Sequence, residues 1–169
     1  NTAYMMDNML QWASNQMKGI GVKADDFDIV LLLSQEFELL QTLARQKEVK
    51  LAHELDKSIL VYADQDMIRL VLRNLINNAI KFTPRGGEVI ISARHDQETA
   101  EITVRDNGTG IPLENQHRIF SNIYYSTTGT QNEKGCGLGL HLSKDFIERN
   151  HGRIWFHSMP DSGSSFSFT

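Results

Sequence analysis

Three short stretches carry residue types and spacings that could do chemistry. In RNLINNAIKF, residues 73–82, Asn74, Asn77, Asn78 and Lys81 recur every three or four positions. At about 100° per residue they share one face of a helix. A solvated face is ordinarily built from Glu, Lys and Arg, whereas each Asn costs a helix about 0.5–0.7 kcal/mol relative to Ala. A carboxamide oxygen is a neutral, hard donor that suits Mg2+, an ion that keeps several waters and is shared between a few side chains and substrate phosphates. Lys81, one turn on, is placed to meet phosphate charge. A polar face that touches only water gives the same pattern.

The second stretch is VRDNGTGIP, residues 104–112, at the end of a predicted strand. Asp106 offers acceptor oxygens and no donor, which suits an exocyclic amino group such as adenine N6 and repels the carbonyl that guanine presents there. Gly108 and Gly110 permit positive φ and close approach of a flat ligand to the backbone. Asp-Asn-Gly is also an ordinary turn signal. The third is KGCGLGL, residues 134–140, where Gly135, Gly137 and Gly139 leave amide hydrogens uncovered just as a helix begins. A helix N-terminus adds partial positive charge, so an anion site arises without a cationic side chain, and phosphate is the natural guest. No Walker motif exists in the chain, and no strand precedes this loop as a dinucleotide fingerprint requires.

These groups need elements to hold them. Met6, Met9, Leu10, Ala13, Met17 and Ile20 draw one apolar stripe along a helix ending at Gly19 or Gly21; so short a helix is marginal alone and needs a partner. DFDIV predicts a short strand and LLLSQEFELLQTLARQKEV an amphipathic helix of about four turns. VKLAHEL and SILVYAD read as strands, and a helix over Gln65–Phe82 is stopped by Pro84 and the Gly86-Gly87 pair. GEVIISARH and AEITVRD alternate apolar and polar residues across a turn and predict a hairpin. The polar, glycine-punctuated run from Thr127 to Gly135 predicts a mobile loop. A helix from about Leu138 to Asn150 and the strands GRIWFHS and SSFSFT close the chain. Without strict βαβ alternation, this order predicts a layered α+β sandwich with a largely antiparallel sheet.

Composition removes other classes. The chain has 169 residues, 40% of them hydrophobic, and a net charge of −4 with no basic run, so neither nucleic acid nor an anionic membrane surface is an expected partner. Its longest apolar run, IVLLL at 29–33, is far shorter than the roughly 20 residues that span a bilayer. One cysteine, Cys136, allows no internal disulfide and favours a reducing, cytoplasmic compartment. The chain starts at Asn1 with no signal-like segment, and we read it as a piece of a longer protein.

In this order and spacing, RNLINNAIKFT, VRDNGTGIP, RIF followed by a polar loop, and KGCGLGL resemble the four sequence boxes of the histidine-kinase catalytic and ATP-binding domain. That domain has the Bergerat fold, shared in outline with gyrase, Hsp90 and MutL: a two-layer sandwich of a mixed, mostly antiparallel sheet on three helices. The likeness runs from about Asp25 to Thr169, and GSSFSFT resembles the family's last strand. Residues 1–20 resemble the end of a dimerisation and phosphoacceptor helix.

The resemblance implies a role for each matching position. Asn78 would be the main Mg2+ ligand with Asn74 assisting, and Lys81 would sit at the ATP phosphates. Asp106 would hold the adenine amino group, with Gly108 and Gly110 under the base. Gly135, Gly137 and Gly139 would line the phosphates, with Phe82, Lys134, Leu138 and Leu140 completing the pocket. The span from Arg118 to Lys134 would be an ATP lid anchored by Phe120. Partners implied are the dimerisation and phosphoacceptor domain of the same receptor, as a homodimer, and a response-regulator receiver domain. The parent would be a membrane-anchored sensor with this part in the cytoplasm.

Two departures qualify the likeness. Cys136 stands where the family commonly has Thr, and the phosphoacceptor histidine box is absent: His53, His95, His117, His141, His151 and His157 lie in no such context. A GHKL-type ATPase clamp is disfavoured because Asn74 stands where a water-activating glutamate would be needed. A non-catalytic nucleotide-dependent regulatory module is the other alternative.

Overall fold

The computed structural model describes residues 21–55, 58–95, 99–120, 128–133 and 137–169. The apolar stripe of residues 6–20, the middle of the lid at 121–127, and Lys134, Gly135 and Cys136 lie outside the described residues. Elements run β1 (Asp25–Asp28), α1 (Ile29–Gln46), β2 (Lys50–Leu55), β3 (Leu60–Ala63), α2 (Gln65–Phe82), β4 (Glu88–His95), β5 (Ala100–Asp106), α3 (Leu113–Gln116), α4 (Gly139–Arg149), β6 (Ile154–Met159) and β7 (Gly163–Phe168).

Local chemistry explains where the elements begin and stop. β1 ends before Ile29, short of the expected DFDIV, because Asp28 accepts the Val30 amide at 2.9 Å and caps α1. Two β-branched residues thereby enter a helix of 18 residues, about five turns rather than four. α2 has the predicted bounds: Asp64 Oδ1 accepts the amides of Asp66 and Met67 at 3.1 Å each, and Thr83 turns extended ahead of Pro84. The one-turn helix α3 has no counterpart in the sequence reading, since four residues show no periodicity.

Five strands form one sheet in the order β2-β4-β5-β7-β6, with β2 and β4 parallel and every other pair antiparallel. β1 and β3 make a separate antiparallel ladder. α1 packs on β2, α2 on β4 and β5, and α4 on β6, which gives the two layers of the sandwich. Strand alternation sends Val89, Ile91, Ala93, Ile102, Val104, Phe166 and Phe168 into the core shared with Val71, Leu72, Leu75, Ile76 and Ile80 of α2. Each of the valine, leucine, isoleucine and phenylalanine side chains among them contributes about 1.5–3 kcal/mol by leaving water. The helix layer is also joined by charge: Glu36 of α1, 1% exposed, accepts from Arg69 Nη1 at 2.8 Å and Arg73 Nε at 2.6 Å on α2.

Candidate functional site at the C-terminal half of the second helix

The site is organised by α2, and its amides are not equivalent. Asn77, Asn78 and Lys81 are half-buried, while Asn74 is 9% exposed. The expected polar stripe therefore divides, and Asn74 joins the packed interior because α4 lies against it. Asn74 Nδ2 donates to Ser143 Oγ of α4 at 2.8 Å, and its Oδ1 accepts from Asn78 Nδ2 at 3.5 Å. A β-carbon at Gly139 would stand 2.1 Å from Asn74 Oδ1, so glycine there permits the helix-to-helix approach. The chain turns into α4 through Gly137 at φ +72°, and Leu138 supplies no side-chain cap to the first-turn amides. Leu138 and Leu140 are half-buried on either side of Gly139.

Asp106 ends β5 with the same parity as Ile102 and Val104, which points its carboxylate toward the helices. It is 7% exposed. Oδ1 accepts the amides of Gly108 at 2.8 Å and Ser164 at 3.2 Å, and Oδ2 is left to accept from a ligand. Burial pushes the carboxyl up to about 6 against the pull of those two donors. The glycines nearby have a tighter reason than access for a flat ligand. A β-carbon at Gly108 would meet the Phe82 carbonyl oxygen at 2.4 Å, and Gly110, at φ +64°, backs onto the Met159 carbonyl.

The C-terminus of α2 is a junction where the last four carbonyls all have partners, the first in the C-cap residue and the other three in segments distant in the chain. Ala79 O accepts from the Thr83 amide and hydroxyl at 3.0 and 2.7 Å. Ile80 O and Lys81 O accept from Lys47 Nζ at 2.9 and 2.5 Å. Phe82 O accepts from Thr109 N at 3.1 Å, tying the Asp106 loop to α2. Where the polar run predicts mobility, residues 128–133 form a docked turn: Thr130 donates to Lys81 O and Thr83 O, and Lys47 Nζ reaches Glu133 Oε1 at 2.5 Å. Burial raises the Glu133 pKa, but bonds from Lys47 and the Gln131 amide outweigh it and hold the carboxyl below its usual range. The Lys81 ammonium lies over the Phe82 ring, 4.7 Å from its centroid.

Phe120 meets Phe156 and Phe166 edge-on at 5.7 and 6.4 Å, and those two rings stack across the β6–β7 ladder at 5.5 Å. The residue expected to anchor the lid thus sits in an aromatic cluster on the sheet. Among the described residues no group of three or more His, Cys, Asp or Glu could hold a metal, and no helix is long and apolar enough to cross a membrane. Sequence reading did not single out Lys47, Thr130, Glu133, Ser143 or Ser164. A lysine at a helix end is commonplace, and the others carry no pattern.

Comparison with known proteins identifies the family. Residues 63–169 match the family described as histidine kinase-, DNA gyrase B- and HSP90-like ATPases, and the chain belongs to that family. Its relatives include the adaptive-response sensory kinase SasA of Rippkaea orientalis, 34% identical over 98% of this chain and 42% of that protein. SasA of Thermosynechococcus vestitus is 44% identical over 65% of this chain and 29% of its own length. The chain thus spans less than half of these curated relatives. Among solved structures, the nucleotide-free catalytic domain of histidine kinase ThkA superposes with a TM-score of 0.75 at 30% identity, covering 86% of this chain and 93% of that one. ThkA in complex with the response regulator TrrA gives 0.79 at 25% identity, covering 99% and 47%. Within the family, the chain is an ATP-binding domain of the histidine-kinase kind.

Proposed function

We propose that this domain binds Mg-ATP and that the parent protein transfers the γ-phosphoryl group to a histidine outside these residues, from which a response-regulator receiver domain takes it. The observation that carries the reading is the double attachment of α2: Phe82 O holds the Asp106 loop, and Asn74 holds the start of α4. Two sequence-distant stretches are thereby attached to the helix that carries Asn78 and Lys81.

In this reading Asp106 Oδ2 accepts from the adenine N6 amine, and the uncapped first turn of α4 receives phosphate oxygens. Asn78 fits a magnesium ligand. Its nitrogen is turned to Asn74, which leaves the carbonyl oxygen for a hard cation that takes its remaining ligands from water and phosphate. Asn74, with nitrogen and oxygen both engaged, orients Asn78 and is less suited to be a second ligand. Lys81 supplies a positive charge beside the phosphates. A bound magnesium ion would offset charge on the transferring group, and the protein's share is positioning. In the parent protein the dimerisation and phosphoacceptor domain brings the acceptor histidine to this site, as a homodimer.

Titration calorimetry of this chain tests the reading. Mg-ATP should bind, and Asn78→Ala should remove the part of the affinity that EDTA removes from the wild type. Binding in Asn78→Ala that still responds to magnesium as the wild type does would refute the assignment.

A further inference from the structure

We propose that Lys47 is a positioning residue for the phosphate side of the nucleotide site, acting as a latch that holds the 129–133 turn on the end of α2. The inference rests on the ATP-site reading above and adds a regulator of it.

Lys47 is 6% exposed, an unusual setting for a lysine. Its ammonium has three donors and three acceptors: Ile80 O, Lys81 O and Glu133 Oε1. Two are the negative end of α2, so the cation satisfies a helix terminus and captures a carboxylate from a segment 86 positions further along the chain. That carboxylate also organises its own turn. Glu133 Oε2 accepts the Gln131 amide at 2.7 Å, and Glu133 O accepts the Gly129 amide at 2.9 Å.

Two groups assigned to the phosphates depend on where this turn sits. A β-carbon at Gly129 would stand 2.5 Å from Lys81 Cγ, so the turn packs directly against the stem that carries the Lys81 ammonium. Glu133 also stands in sequence directly ahead of the 134–140 run assigned to the phosphates, two positions before Gly135. Asp106 is held separately, by Gly108, Ser164 and the Thr109–Phe82 bond. Releasing the latch should therefore loosen the grip on phosphates and leave the base subsite intact.

Calorimetry with ATP and with adenosine, which has no phosphates, separates the two subsites. In Glu133→Ala, whose side chain is one-third exposed so that its loss leaves the fold standing, ATP should bind about tenfold more weakly while adenosine stays within about twofold of wild type. Lys47→Met should lose ATP affinity selectively as well, and the double variant should be no weaker than the worse single one. Unchanged ATP affinity in Glu133→Ala, equal loss of ATP and adenosine, or additive losses in the double variant would each overturn the latch. A wild-type chain that binds neither ligand would instead bring down the nucleotide-site reading, and the latch with it.

Discussion

In the proposed role, Asp106 would trade stability against recognition. Its pKa is about 6 in the folded chain against 3.8 for a free side chain. Between those values the folded state holds a proton that the unfolded state has released, so stability falls as pH rises through this window, by up to about 3 kcal/mol from this group. Accepting an adenine amine needs the ionised form, so ATP affinity should weaken as pH drops below about 6. Asp106→Asn keeps the oxygen that takes the Gly108 and Ser164 amides but sets a donor where Oδ2 stood. It should lose ATP affinity, and its stability advantage over wild type should widen between pH 5 and pH 8. Urea melts at the two pH values, with calorimetry at pH 7.5, measure both; a constant gap would contradict the burial argument.

This residue was legible in the sequence because strand alternation and the following glycines both point at it. Asn78 was legible from helical spacing. The difference in burial between Asn78 and Asn74 was not, because burial of Asn74 depends on α4, sixty-nine positions away at Ser143. For Gly108 and Gly110 the sequence reading anticipated the positive φ that Gly110 adopts, but not the crowding, because the carbonyls of Phe82 and Met159 arrive through the tertiary fold.

At the scale of elements, α2 does most of the organising, and its bounds followed from caps and a proline. What pattern could not supply is what gathers at its end. Lys47, Thr130 and Thr109 come from three unrelated segments, and each makes a backbone bond with no sequence signature. The contact between α2 and α4 yields a direct test. Gly139→Ala places a methyl against the Asn74 amide, so that side chain must swing off Ser143 and Asn78. The loss should be about 1–3 kcal/mol of stability, with magnesium-dependent nucleotide binding weakened in the same variant. Chemical denaturation and calorimetry check the pair, and a variant as stable as wild type would show that the two helices separate at little cost.

For the whole molecule, the layered α+β sandwich with one parallel strand pair among antiparallel ones matches the architecture expected from element order and from the family resemblance. Strand order was not legible, since β2 is joined to β4 through β3 and α2, and only long-range pairing sets that register. None of the six histidines stands in a phosphoacceptor context. Incubated alone with γ-labelled ATP, this chain should therefore remain without acid-labile phosphate; label retained on it through gel electrophoresis at neutral pH would place an acceptor within these residues.

α1 has one end fixed by the Asp28 cap and the other beside Lys47, whose amide accompanies the helix terminus. Its 18 residues make a rod of about 27 Å. Pivoting at Asp28 by about 5° would sweep the far end through about 2 Å, comparable with the 2.5 Å that separates ammonium from carboxylate. A change of angle where the chain enters at β1, were it large enough to strain the Glu36 pairs to Arg69 and Arg73, would be felt at this ion pair on the opposite end of the rod.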